Sequence, residues 1–187
     1  MRAKMIRAPC RSKKGQPSQI KYTKFGDVVT ADHIILRDSE EYSRHGDTCI
    51  LVLQDRHSMW IEAIAANGNT QEESRRIMRK LIPKERVSLF YSDNAQELTN
   101  AAEELDWLNT TSTPKRSETN GVGERANRRI NEGLRACSIQ SGLGQEWFAE
   151  LATCFTCLRN FGDTIAEQNH KTPYFLPTVW RCCRCQQ

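Results

Sequence analysis

Three apolar runs crowd into residues 27–65, each short enough to be a strand and each closed by polar residues. "DVVTADHIIL" (27–36) and "DTCILVLQD" (47–55) read as strands, the second with a fully apolar centre. After the polar turn "QDRHS", the alternation in "MWIEAIA" (59–65) predicts a third strand, so 47–65 reads as a hairpin.

Helix and strand signals then take turns. "ANGN" breaks the chain, and Thr70 with Glu73 three residues on predicts a capping box for a helix through "QEESRRIMRKLI", ended by Pro83. "VSLFYSD" (87–93) is the expected fourth strand, "ELTNAAEELDWL" (97–108) the next helix, and "NTTST" a short fifth strand. "PKRSETNG" (114–121) reads as a polar loop, with a long helix from about Val122 to Ser141 and another from Gln145 to Phe161. Three meandering strands followed by this alternation predict an α/β fold with a mixed sheet.

The 187-residue chain suits one domain plus tails. No apolar run approaches the roughly 18 residues that span a bilayer. The N-terminus lacks the apolar core of a secretory signal, so an intracellular protein with no membrane partner is expected. The net charge of +4 is unevenly spread: residues 1–24 hold eight Lys and Arg and no acid, leaving 19 basic against 23 acidic residues elsewhere. A basic arm (1–25) ahead of a mildly acidic body suits a polyanion partner or a merely solvated tail. Eight cysteines without a secretory signal argue against a disulfide framework. Cys154 and Cys157, set among apolar residues, read as core residues of a helix. The "CCRC" stretch falls in an irregular tail, 177–187.

Aspartate is depleted in strands and rarely buried without a partner. Asp32 nonetheless sits in mid-strand, where neither a cap nor a turn explains it. Asp93 ends the fourth strand, and strand ends are where ligands bind in α/β sheets. It could equally cap a helix with Asn94. Glu124 opens a helix, where the dipole alone favours an acid by about 0.3–1 kcal/mol. Three acids on three elements could converge on Mg²⁺, which takes oxygen ligands. Asp27, Asp38, Asp47 and Asp55 read as turn or strand-end residues.

The helix from Val122 predicts two stripes. Ala126, Ile130, Leu134 and Cys137 form an apolar face, whereas Glu124, Arg128, Asn131 and Arg135 form a charged one, flanked by Arg125 and Arg129. Arginine matches phosphate geometry bidentately. A Glu124–Arg128 surface pair, worth a few tenths of a kcal/mol, is the plainer alternative.

"TADHIIL", "YSDNAQEL" and "TSTPKRSETNGVGERANRRINEGLRA" together resemble the catalytic core of retroelement integrases, most closely the copia type of retrotransposon. "TPYFL" (172–176) resembles a segment that follows that core. The resemblance runs from about Gly26 to Leu176, making 26–176 the expected core. It implies a ribonuclease H-like fold with a mixed five-stranded sheet flanked by helices. It further implies that Asp32, Asp93 and Glu124 are the metal-binding catalytic triad for two Mg²⁺ (or Mn²⁺) ions. Lys115, Arg116, Asn120, Arg125, Arg128, Arg129 and Arg135 become candidates for DNA contact. The implied partners are element ends and target DNA, with a homo-oligomer, nuclear action and a polyprotein origin also expected. "RAKMIRAP" resembles the stretch after that family's zinc domain, whose ligands do not precede it here.

The sequence also departs from the family pattern. Thirty residues (94–123) separate Asp93 from Glu124, fewer than is usual. Ala95 stands where the family has Gly, and Ser117-Glu118 where it has Pro-Gln. These departures leave two other readings open: a catalytically inactive, nucleic-acid-binding remnant, and another ribonuclease H-like nuclease or transposase.

Overall fold

The computed structural model describes residues 22–36, 42–82, 87–93, 95–111 and 117–176; the side chains of 110, 111, 117–124 and 167 are not among those described. The strands are β1 (Val29–Ile35), β2 (Cys49–Asp55), β3 (Ile61–Ala66), β4 (Phe90–Ser92) and β5 (Asn109–Thr111). The helices are α1 (Gln71–Leu81), α2 (Gln96–Glu104), α3 (Ser117–Ser141) and α4 (Phe148–Gly162). The sheet runs in the order β3-β2-β1-β4-β5. β2 is antiparallel to both β1 and β3, whereas β4 is parallel to β1 and β5. A mixed sheet flanked by helices is the architecture read from the sequence.

Side-chain alternation along the strands divides the interior in two. Cys49, Leu51 and Leu53 of β2 join Val29, Ala31 and Phe90 in a core covered by Ile77 and Met78 of α1 and Leu98 of α2. Ile50 and Val52 point the other way and pack with Ile61, Ala126, Ile130 and Phe148 beneath α3 and α4. β2 is thus buried on both faces at every residue, which is why its centre reads as an unbroken apolar run.

Local signals set several boundaries. Thr70 caps α1 by accepting the Glu73 N–H at 3.3 Å, while the Glu73 carboxylate turns to Arg76, so only half of the capping box forms. The helix ends at Leu81, where Ile82 N–H returns to the Met78 carbonyl; Pro83 lies outside the described residues. β3 begins at Ile61 rather than Met59. Met59 has a left-handed φ of 57°, and the preceding turn is tied down by Asp55, whose buried carboxylate accepts from Gly26, Ser58 N–H and Ser58 Oγ. α2 stops at Glu104 rather than Leu108, because Asp106 takes φ 53° and Trp107 N–H closes on the Ala102 carbonyl. Gln145–Trp147 form a 3-10 turn before α4 begins.

Two further expectations are overturned. The 114–121 stretch is not a loop throughout: α3 starts at Ser117, so Asn120 and Gly121 are helical and the Asn-Gly pair breaks nothing. A helical Gly costs only about 1 kcal/mol relative to Ala, and the burial of Ala126 and Ile130 further along the same helix outweighs it. Cys154 and Cys157 are exposed rather than in the core. The face that α4 buries carries Phe148, Leu151, Ala152, Thr156 and Asn160, which turns the cysteines outward.

Candidate functional site

The parallel pairing of β1 with β4 sets the centre of the site. Val29 lies opposite Phe90, Thr30 opposite Tyr91 and Ala31 opposite Ser92. Asp32 and Asp93 are the residues that follow this last pair. They therefore stand side by side where β4 ends, at the carboxyl edge favoured for ligands in α/β sheets.

Strand alternation puts Asp32 on the α3/α4 side, with Ile34, and His33 on the α1/α2 side. The Asp32 carboxylate is held at both oxygens: Oδ1 accepts the His33 N–H at 2.8 Å, and Oδ2 accepts Nδ2 of Asn127 at 2.6 Å. These contacts explain how a half-buried aspartate is tolerated in mid-strand. Asp93 is exposed, and its carbonyl, not its carboxylate, accepts the Ala95 N–H.

Glu124 lies in α3, one turn before Asn127. Residues three apart share one side of a helix, so the Asn127–Asp32 bond lays the side of α3 that bears position 124 over β1. The Glu124 side chain itself is outside the described set, as is that of Asn120; Lys115 and Arg116 are outside it altogether. Among the described residues, no three His, Cys, Asp or Glu side chains form a metal-holding group. The described pair, Asp32 and Asp93, suits a hard cation in donor type, because Mg²⁺ is typically bound through one or two carboxylates plus water and substrate phosphate.

Outward from this edge, α3 exposes arginines. Arg125, Arg128, Arg129 and Arg135 are all exposed, with Ala126 and Ile130 buried beneath. Leu134 and Cys137 of the expected apolar stripe are only half-buried. Arg128 pairs at 2.8 Å with Glu132, one turn on. That hydrogen bond raises the Arg128 pKa, but the pair is solvated.

His33 backs the site from the other layer. Burial lowers its pKa, opposed by the negative charges of Glu97 and Asp93. Its Nε2 lies 3.2 Å from Ser74 Oγ on α1.

Sequence reasoning missed Asn127. A signal was present: asparagine is a poor helix former that tends to use its side chain on nearby polar groups, and here it sits at i+3 from Glu124. Its partner, 95 residues earlier, could not be read from spacing.

No protein-family model and no curated protein matches this chain. Solved structures do. The crystal structure of the catalytic core domain of BIV integrase aligns with a TM-score of 0.55 and 23% identity, covering 80% of this chain and 91% of that one. A chain of the cryo-EM structure of the simian T-cell lymphotropic virus intasome, in complex with PP2A regulatory subunit B56 gamma, aligns with a TM-score of 0.61 and 19% identity. That match covers 84% of this chain but only 56% of the other. At these identities the likeness is one of fold: the chain has the fold of retroviral integrase catalytic cores.

Proposed function

We propose that the chain is the catalytic core of a retroelement integrase, of the copia type of retrotransposon, joining element DNA ends to target DNA by metal-dependent polynucleotidyl transfer. The observation that carries this reading is the adjacency of Asp32 and Asp93 on two parallel strands, with α3 tied above them by Asn127. The integrase-core fold supports it, as do the sequence motifs.

In this reading Asp32 and Asp93 hold divalent cations, and Glu124 of α3 is the third ligand. Two bound Mg²⁺ or Mn²⁺ ions would make the attacking oxygen more acidic and neutralise charge on the leaving one. The side chains make no covalent bond to DNA: water, then the freed 3′-hydroxyl, attacks phosphorus, and the departing 3′-oxygen takes the electron pair. Arg125, Arg128, Arg129 and Arg135, with Lys115, Arg116 and Asn120, grip phosphates on either side. The basic arm adds sequence-independent affinity, each neutralised phosphate steepening log K against log salt by about 0.9. The protein acts as a homo-oligomer on nuclear DNA and derives from a polyprotein.

Strand-transfer assays with Mg²⁺ or Mn²⁺ on wild type, Asp32→Asn and Glu124→Gln test the reading. Joining by wild type alone supports it. Salt-sensitive DNA binding without joining or nicking would assign the inactive remnant, and nicking without joining another nuclease.

A further inference from the structure

We propose that Cys154 and Cys157 form a two-thiolate site on α4 for a soft, low-coordinate cation, of which Cu(I) is the type. The two residues stand three apart near the middle of the helix, and both are exposed. Positions three apart share one side of a helix, with Cβ atoms about 5–6 Å from each other. The two residues between them are held by packing. The Phe155 ring lies against Gly133 of α3, and Thr156 is fully buried, its hydroxyl donating to the Ala152 carbonyl at 3.0 Å. The helical turn that carries both thiols is therefore fixed.

That fixed turn decides what the pair can do. A disulfide needs Cβ atoms about 3.5–4.5 Å apart, so closing one would overwind the turn and drag Phe155 off Gly133. Thiol–disulfide exchange also lacks its usual support. A reactive CxxC thiol commonly draws on a helix N-terminus, whereas Cys154 lies well inside a helix that begins at Phe148. An ion set between the two sulfurs bridges the wider gap without moving the helix. Thiolates select soft metals such as Cu(I), Zn²⁺ and the irons of iron–sulfur clusters. Zn²⁺ and the clusters call for four ligands, and among the described residues no group of three His, Cys, Asp or Glu side chains is placed to hold a metal. Cu(I) is satisfied by two thiolates. One Cu(I) replaces two thiol protons, which are released, so affinity rises with pH. The site does not rest on the reading of Asp32 and Asp93.

Anaerobic titration of the reduced full chain with Cu(I), against the coloured chelator bicinchoninate as competitor, tests the site. Cys10, Cys182, Cys183 and Cys185 are first replaced by serine, so that no thiol outside the described residues contributes. This chain should take up one Cu(I). Its affinity should fall roughly 10²–10⁴-fold in Cys154→Ser, and by a similar factor in Cys157→Ser, as chelation is lost. Cys137→Ser, on α3, should bind as before. Circular dichroism and thermal unfolding without metal check that each variant is folded. Unchanged affinity in either folded serine variant, or an equal loss in Cys137→Ser, overturns the inference. So does a Cys154–Cys157 disulfide that forms with no fall in melting temperature, because the turn would then be free to close.

Discussion

Asp32 and Asp93 follow directly on the paired residues Ala31 and Ser92, so two carboxylates leave neighbouring parallel strands at the same level of the sheet. Like charges carried on neighbouring strands raise the energy of the metal-free protein. Replacing Asp93 by Asn should therefore leave the metal-free melting temperature unchanged or higher. Mn²⁺ should stabilise wild type, by about 2.7 kcal/mol at 100 times its dissociation constant, but not this variant. Differential scanning calorimetry with and without Mn²⁺ checks both halves.

Much of this arrangement was legible in the sequence, for physical reasons that vary by element. β2 announces itself because both of its faces are buried. Asp32 stood out because strand alternation offers an aspartate no local use. The start of α3 was not legible, since local propensity treats Asn120-Gly121 as a break while distant packing of Ala126 and Ile130 decides otherwise. The orientation of α4 was misread for a related reason. Apolarity assigned Cys154 and Cys157 inward, yet the helix buries the polar Thr156 and Asn160.

That buried asparagine is the basis of a second prediction. Asn160 Oδ1 accepts the Ile61 N–H at 3.0 Å and Nδ2 donates to the Ile61 carbonyl at 2.8 Å. It thereby closes part of the free edge of β3. Asn160→Leu strands both backbone groups, at about 1–3 kcal/mol each, and should lower the urea midpoint with little change in slope.

Where α3 packs on α4, the Phe155 ring lies against Gly133. A Cβ at this position would overlap the Phe155 ring. Gly133→Ala should destabilise the protein by about 1–3 kcal/mol, the usual range for overpacking. Trimming the ring in Gly133→Ala/Phe155→Leu should recover part of that loss, which a double-mutant cycle in urea would measure.

His33 gives stability a sign with pH. Burial lowers its pKa below the ordinary 6.5, the charges of Glu97 and Asp93 only partly offsetting this. The unfolded chain then binds more protons than the folded one between the two pKa values. The His33 contribution is intact above 6.5 and falls away as pH drops from there towards the folded value. His33→Gln should flatten that part of the stability curve, as urea midpoints taken across the acid range would show.

The central claim, that Asp32, Asp93 and Glu124 act together on DNA, is tested most directly by strand transfer into plasmid DNA with Mn²⁺ present. Wild type should join labelled DNA ends to the plasmid, and Asp32→Asn, Asp93→Asn and Glu124→Gln should each fall to the metal-free background. Joining by Glu124→Gln at the wild-type rate, or joining by wild type that survives removal of the metal by chelation, would contradict it.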